Sequence, residues 1–223
     1  MGFEVAEFVD NPEPRCPVAL VLDTSKSMTG ERIEELNAGV ATFKEEVMRD
    51  ELAAVRVEVA MITFGGRVMV PQAFVTIDRF EPPELTAGGK TPLGGAVEIA
   101  LDLVEQRKKV YREHGIPYYR PWVFLITDGA PTDGDLWRRA AERVQAAEAE
   151  RRISFFAVGV EGADFDLLGQ VTPPSRPPLM LQRLRFRDLF EWLSVSVRRV
   201  STSAVGADSI QLPAIDGWGR LPS

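Results

Sequence analysis

Two short, uninterrupted apolar segments constrain the fold of this chain more than any other feature of its sequence. Val18–Leu22 and Trp122–Ile126 are too short for a typical helix, and neither alternates apolar with polar residues. Such segments are typical of strands that are buried on both faces of a parallel sheet. Asp23 directly follows the first segment, and Asp128 follows the second after one threonine. The sequence therefore predicts two buried parallel strands with an aspartate at the carboxyl end of each.

Patterns for helices and strands alternate along the rest of the chain. Residues 31–49 carry an apolar face at spacings of three and four, and Gly65-Gly66 is typical of a hairpin turn. Further strands are predicted at Val57–Phe64, Val68–Val75, Phe155–Val160 and near Met180, and further helices from Pro92 to Gly115 and at about 134–151, 164–169 and 186–200. This alternation predicts an α/β fold: a doubly wound, mostly parallel sheet of six strands, with one antiparallel edge strand and helices on both faces.

The residues that precede two of these helices favour particular caps. We expect Thr91 to cap the helix that Pro92 begins, because threonine is a good N-cap and proline suits a first helical position. Asp133 or Thr132 is expected to cap the helix at 134.

The chain is predicted to form one domain with a short extension at each end. Residues 1–15 form an N-terminal extension in which Phe3, Val5 and Phe8 allow a lone edge strand. Residues 16–202 form the domain, and residues 203–223 form an extended tail with Trp218 near its end. The tail can fold back on its own domain or dock on a neighbour.

Composition excludes several classes of protein. With 26 basic and 33 acidic residues, the chain has a net charge of −7 and is a poor general ligand for nucleic acid. One cysteine, Cys16, and one histidine, His114, cannot build an internal disulfide or a structural zinc site. We expect Cys16 to be a core residue and His114 a surface residue. Without a long apolar segment or a signal-like N-terminus, no membrane association is expected, and the expected location is the cytoplasm.

The two predicted strand ends carry the residues from which a metal site could be built. In Asp23-Thr24-Ser25-Lys26-Ser27, alternate side chains of an extended segment point the same way, so one carboxylate and two hydroxyls share one side. If the two strands are neighbours, Asp128 faces the same crevice. Oxygen ligands without histidine or cysteine suit Mg²⁺, Mn²⁺ or Ca²⁺. Either aspartate could alternatively serve only to cap the helix that follows it.

These residues resemble the Asp-x-Ser-x-Ser signature of the von Willebrand factor A domain, which opens its metal-ion-dependent adhesion site. The family adds a threonine from a later loop and an aspartate after the fourth strand, and Thr91 and Asp128 match those positions. The resemblance covers about residues 16–200. It implies the strand order 3-2-1-4-5-6 and a metal ion held by Asp23, Ser25, Ser27, Thr91 and Asp128.

The resemblance also implies roles. Thr91 and Asp128 would exchange between direct and water-mediated contact with the ion, coupled to movement of the last helix. The family's function is non-enzymatic: the ion bridges to an Asp or Glu of a protein partner. The loops at 84–89 and 128–133 resemble those of bacterial tellurite-resistance-associated A-domain proteins. This resemblance implies a role in a bacterial stress response or in tellurite resistance, beside kinase and phosphatase partners. Lys26 departs from the small residue often found between the two serines.

Two other functions stay open. The same crevice could serve a Mg²⁺-dependent hydrolase or phosphotransferase, although no tunable general base accompanies it. The domain could also be a scaffold with an unoccupied metal site. A nucleotide-binding P-loop at Gly89-Lys90-Thr91 is disfavoured because Glu84 stands where its first glycine is needed. Lys26 and Lys90 flank the metal-site residues, either to attract an acidic ligand or as ordinary solvated charges.

Overall fold

The fold is taken from a computed structural model that describes residues 11–206 and 210–222. The edge strand expected at Phe3, Val5 and Phe8 lies outside these residues. In chain order, the elements are β1 (Cys16–Asp23), α1 (Glu31–Met48), α2 (Glu51–Arg56), β2 (Val57–Gly65), β3 (Arg67–Thr76), α3 (Leu93–Glu113), β4 (Trp122–Thr127), α4 (Gly134–Ala149), β5 (Ser154–Gly159), α5 (Phe165–Val171), β6 (Leu179–Leu181), α6 (Phe186–Thr202) and β7 (Gly219–Arg220).

The sheet places the ends of β1 and β4 side by side. Its strand order is β3-β2-β1-β4-β5-β6-β7, and β1 pairs in parallel with both β2 and β4. The predicted order of the first six strands and the α/β class are therefore confirmed. The pairing of Leu22 with Ile126 aligns the carboxyl ends of β1 and β4. Polar residues that follow these two strands are thus brought to one edge of the sheet.

The six-strand prediction is corrected by a seventh strand from the tail. Gly219 and Arg220 pair antiparallel with Leu181 and Met180, so β7 forms a second antiparallel edge opposite β3. A strand of two residues contains no hydrophobic period, so the sequence offers no signal for it. The hairpin predicted at Gly65-Gly66 joins β2 to β3, with Gly66 at a φ of 75°.

The helices cover both faces of the sheet and create two apolar cores. Val18, Leu20 and Leu22 of β1 face the core beneath α1 and α6, whereas Ala19 and Val21 face the core beneath α3 and α4. All five side chains are completely buried. The uninterrupted apolar segment thus contributes side chains to both cores, as expected for a central strand of a parallel sheet.

The cap predicted for α3 is wrong. The helix begins at Leu93, and the Thr91 side chain makes no capping hydrogen bond. Instead, the Asp133 carboxylate accepts hydrogen bonds from the backbone amides of Gly94 and Gly95 at 3.0 and 2.8 Å. Asp133 precedes α4 as predicted but makes no side-chain cap there, because its oxygens serve the neighbouring helix. A carboxylate at a helix N-terminus satisfies otherwise unpaired amides and interacts favourably with the helix dipole.

The other end of the sheet contains a buried charge cluster. Glu58, the second residue of β2, is fully buried and accepts hydrogen bonds from the guanidiniums of Arg15 and Arg107 at 2.7–3.0 Å. The Tyr111 hydroxyl also donates to Glu58, and burial together with the nearby carboxylate raises the pKa of Tyr111 well above its ordinary value. Buried charges are tolerated only when they are paired and hydrogen-bonded, and this cluster supplies both.

The tail folds back on its own domain. The Trp218 ring lies 5.2 Å from that of Trp192 on α6, and the Trp192 indole donates a hydrogen bond to the Pro213 carbonyl at 2.9 Å. Trp218 is only 3% exposed. Within the described ranges, no helix is long and apolar enough to cross a bilayer.

Replacement of Trp218 tests this docking. We expect Trp218→Ala to lower the free energy of unfolding by about 3 kcal/mol, because a large buried aromatic side chain is lost and a cavity remains. Urea denaturation monitored by far-UV circular dichroism measures the change. A loss below about 0.5 kcal/mol, the usual effect of a surface substitution, would show that the tail does not pack in solution.

Candidate metal centre

Asp23 is held in place through both of its carboxylate oxygens. It is the last residue of β1 and is fully buried. The Ser25 backbone amide donates to Oδ1 at 2.8 Å, and the Thr127 hydroxyl donates to Oδ2 at 2.6 Å. Burial raises the pKa of Asp23, which the hydrogen bonds from Thr127 and Ser25 partly offset and the negative charge of Asp128 reinforces. A cation close to this carboxylate would compensate the cost of its burial.

A chain of hydrogen bonds connects the β1 loop to the β4 loop. The Ser25 and Ser27 hydroxyl oxygens lie 3.0 Å apart, and the Ser27 hydroxyl donates to Asp128 Oδ1 at 2.7 Å. Ser25 and Asp128 are buried, whereas Ser27 is exposed. Four of the five residues proposed from the sequence therefore form one group that opens to solvent beside Ser27.

Thr91 lies next to this group. A Cβ placed on Gly129 would be 3.6 Å from Thr91 Oγ1, so the threonine side chain is adjacent to the residue after Asp128. The Thr91 backbone carbonyl accepts a hydrogen bond from the Thr132 amide at 2.9 Å, which ties its loop to the β4 loop. Thr91 is 7% exposed, and its hydroxyl has no hydrogen-bond partner within residues 11–206 and 210–222. This hydroxyl is therefore available to a ligand or to water.

Backbone contacts hold the loops of the site together. The Lys26 amide donates to the Gly89 carbonyl at 3.0 Å, and the Gly88 amide donates to the Thr24 carbonyl at 2.8 Å. Gly89 has a φ of 78°, and a Cβ there would lie 2.4 Å from the Gly66 Cα. Both the conformation and the space therefore require glycine. The glycines of the 86–91 loop serve close packing between loops.

Arg32 also contacts this group, although no local sequence pattern predicts it. Its Nη1 donates to Asp128 Oδ2 at 2.5 Å and approaches the Ser27 carbonyl at 3.4 Å. The Arg32 side chain is 26% exposed, whereas that of Asp128 is fully buried. A charged residue in the first turn of a helix is ordinarily solvated, so only the packing of α1 against the β4 loop distinguishes this arginine. Sequence reasoning also missed Thr127, because nothing in its local sequence distinguishes it from other strand residues.

The donor set fits a hard divalent cation. Two carboxylates and three hydroxyls are all oxygen ligands, which Mg²⁺, Mn²⁺ and Ca²⁺ prefer. Within the described part of the chain, no group of three or more His, Cys, Asp or Glu residues has the arrangement of a metal site. A cation here would therefore depend on neutral hydroxyls and water as well as on Asp23 and Asp128.

The other residues singled out from the sequence lie outside this group. His114 is exposed at the end of α3, with Nδ1 2.9 Å from the Val110 carbonyl oxygen. Cys16 is buried at the start of β1, where burial raises its pKa to about 12, so its thiol stays protonated and unreactive. Lys26 and Lys90 are exposed on the loops that frame the site, and neither forms an ion pair within the described ranges.

Comparisons with solved structures support the fold. Proximal thread matrix protein 1 from the mussel byssus matches with a TM-score of 0.57 and 16% identity, over 86% of this chain and 47% of that one. The same mussel protein with a zinc-occupied MIDAS motif matches with a TM-score of 0.56 and 16% identity, over 82% and 47%. The pilus adhesin SpaC from Lactobacillus rhamnosus GG matches with a TM-score of 0.62 and 13% identity, over 85% and 31%.

The sequence itself identifies the family. The chain spans less than half the length of these three structures. A comparison with curated protein sequences found no match. The family model for the von Willebrand factor type A domain matches residues 18–177, which include both aspartate-bearing strand ends and the loop of Thr91. The chain therefore belongs to the von Willebrand factor type A domain family.

Proposed function

We propose that this domain is a non-enzymatic protein-interaction module that depends on a divalent cation. Asp23, Ser25, Ser27, Thr91 and Asp128 would hold the ion, with Mg²⁺ as the expected occupant and Mn²⁺ or Ca²⁺ as substitutes. When bound, the cation would supply a positive centre that a carboxylate from a partner protein can approach. The mussel structure with a zinc-occupied MIDAS motif supports a divalent metal at this kind of site.

The observation that carries the proposal is the continuous contact from Asp23 to Asp128. Ser25 contacts Asp23 through its backbone amide and Ser27 through its hydroxyl, and Ser27 in turn contacts Asp128. This chain of contacts supports an arrangement in which two carboxylates and two hydroxyls would bind one ion at the edge of the sheet. The two carboxylates only balance a 2+ charge, so an additional carboxylate from outside would be attracted.

The surroundings of the site favour an acidic partner. Arg32 forms an ion pair with Asp128 and so reduces the negative charge that the site presents. Lys26 and Lys90 are exposed on the bordering loops and are free to meet a partner's acidic side chains. Complementary charges around an interface increase the association rate and disfavour partners of the wrong sign. We therefore propose a partner surface that presents one Asp or Glu to the ion and further acids around it.

The cellular setting is proposed from sequence resemblance alone. The loops at 84–89 and 128–133 resemble those of bacterial tellurite-resistance-associated A-domain proteins, so we propose a cytoplasmic role in a bacterial stress response, beside kinase and phosphatase partners. The pilus adhesin SpaC is similar in fold. At 13% identity this similarity supports the architecture and not the location.

Removal of the central carboxylate tests the metal site. We expect calorimetric titration of Mn²⁺ into metal-stripped protein to show one ion per chain, and Asp23→Asn to weaken that binding about tenfold or more, because a charged ligand becomes neutral. Asp78→Asn, which neutralises an exposed acid in the turn after β3, is the matched control and should bind normally. Equal binding by wild type and Asp23→Asn would contradict the assignment.

Arg32 provides a second test, in which the substitution is expected to strengthen metal binding instead of weakening it. Arg32→Gln should increase the affinity for Mn²⁺ by about threefold to tenfold, because a positive charge that competes for Asp128 is removed from a partly solvated position. Arg79→Gln removes the same charge from an exposed site in the turn after β3 and should have no effect. Unchanged or weaker binding by Arg32→Gln would show that Arg32 does not reduce the negative charge available to the ion.

Thr91 distinguishes an interaction module from a scaffold with an unused site. We expect the domain to capture partner proteins from a bacterial lysate in Mg²⁺ but not in chelator, and Thr91→Ala to lose this capture while its unfolding temperature stays near that of the wild type. Amidation of lysate carboxylates before the experiment should have the same effect as chelator. Capture that persists in chelator and in Thr91→Ala would favour the scaffold. Turnover of phosphomonoesters or nucleotides that is lost in Asp23→Asn would favour the hydrolase or phosphotransferase.

A further inference from the structure

A cavity of about 620 Å³ lies at the opposite end of the sheet from the metal-site residues. Its floor includes Trp122 and Ser154, the first residues of β4 and β5, whereas Asp23 and Asp128 follow the carboxyl ends of β1 and β4. The end of α6 and the tail form a further wall, through Val200, Ala204 and Leu212. The volume is within the range of small-molecule sites. This cavity is therefore independent of the proposed metal centre.

The lining of this cavity is basic. Five cationic side chains contribute to it, and none of the lining residues that the structure describes is acidic: Lys108, Arg120, Arg151, Arg152 and Arg176. For a chain with a net charge of −7, this is a local reversal of sign. A concave site lined by one sign of charge concentrates ligands of the opposite sign.

Nearby carboxylates neutralise only part of this charge. Glu105 lies 2.8 Å from Lys108 and 3.4 Å from Arg152, and Arg152 also pairs with Glu150 at 2.7 Å. Glu148 pairs with Arg176 at 2.5 Å. Arg120 has no acidic partner among the described residues, so its positive charge remains available at the cavity wall.

Arg120 and Ser154 supply polar groups that a ligand could engage. Arg120 is half-buried, and its guanidinium has no hydrogen bond or ion pair with any residue that the structure describes. Ser154 is 7% exposed, and its hydroxyl is likewise without a partner in the described ranges. A partly desolvated guanidinium presents a planar set of donors that matches a carboxylate or a phosphate. These two residues define where an anionic head group would bind.

The remaining lining suits a flat apolar group. Trp122 and Phe156 pack with ring centroids 4.6 Å apart, and the Arg176 guanidinium lies over the Phe156 ring at 4.6 Å. Ile210 and Leu212 of the tail add aliphatic surface. Small-molecule sites commonly combine an apolar wall with a few polar groups that fix the orientation of the ligand.

We propose that this cavity binds a small organic anion. Arg120 and Ser154 would hold the carboxylate or phosphate head group. A flat apolar ring system would pack between the Trp122 and Phe156 rings and the tail, in a ligand about as large as a mononucleotide. Because the site shares no residue with the metal centre, its occupancy does not depend on whether the metal site is functional.

A matched set of probes tests this proposal. Ligand-observed NMR titrations would use 1-naphthyl phosphate, 1-naphthoate and the neutral 1-naphthol, which share one ring system and differ in the head group. We expect at least one anion to bind the full chain with a dissociation constant of about 0.5 mM or lower, and 1-naphthol to bind at least about tenfold more weakly. The preferred anion identifies the head group as phosphate or carboxylate. Failure of both anions, or equal binding of 1-naphthol, overturns the proposal.

Substitutions locate the binding. Arg120→Gln and Ser154→Ala should each weaken the anion, Arg120→Gln by at least about tenfold, with unfolding temperatures near that of the wild type. Arg139→Gln, an exposed arginine of α4 outside the lining, is the charge-matched control and should bind like the wild type. Asp23→Asn should also bind normally, which separates this site from the metal centre. An Arg120→Gln protein that retains full affinity, or an Arg139→Gln protein that loses as much, overturns the proposal.

Discussion

The arrangement of this molecule depends on the juxtaposition of two buried carboxylates, Asp23 and Asp128, at the ends of adjacent parallel strands. Burial of two acids close together is unfavourable, because desolvation and mutual repulsion both penalise the charged forms. The structure offsets this cost with the amide of Ser25, the hydroxyls of Thr127 and Ser27, and the guanidinium of Arg32. The loop geometry, from the close contact of Gly89 with Gly66 to the register of β1 and β4, holds these groups in place.

At the opposite end of the same sheet, the cost of burying a carboxylate is offset in a different way. There Glu58 is surrounded by the guanidiniums of Arg15 and Arg107 and by the Tyr111 hydroxyl, all supplied by the chain itself. That cluster is closed to solvent and needs no external ion. At the Asp23 end, by contrast, Arg32 is the one charged donor among these contacts, the others are neutral hydroxyls and an amide, and the group opens to solvent beside Ser27. The contrast is the physical reason to regard one cluster as structural and the other as a binding site.

Much of this arrangement could be predicted from the sequence, because it depends on local patterns. The uninterrupted apolar segments identified the central strands, and the serines spaced by two after Asp23 predicted a cluster of oxygen-bearing side chains, which the structure brings into contact. The contribution of Thr91 came from family resemblance, since nothing in its local sequence separates a ligand from a helix cap. Assignment of the five residues to a metal ion stays a proposal.

The features that sequence reasoning missed depend on contacts between distant segments. Asp133 caps α3 rather than its own helix, and Arg32 reaches Asp128 across 96 residues of chain. The two residues of β7 are too few to carry a pattern, and they directly follow Trp218, which packs against Trp192. No local propensity encodes such contacts.

The most direct measurement is the anomalous difference map from crystals of this protein grown or soaked in Mn²⁺. We expect one strong peak at the edge of the sheet, within coordination distance of the Ser25 and Ser27 hydroxyls and close to Asp23, Thr91 and Asp128. Crystals of Asp23→Asn in the same Mn²⁺ concentration should lose it. A map without a peak at this position, or with manganese bound only elsewhere on the molecule, would contradict the assignment of these residues to a metal site.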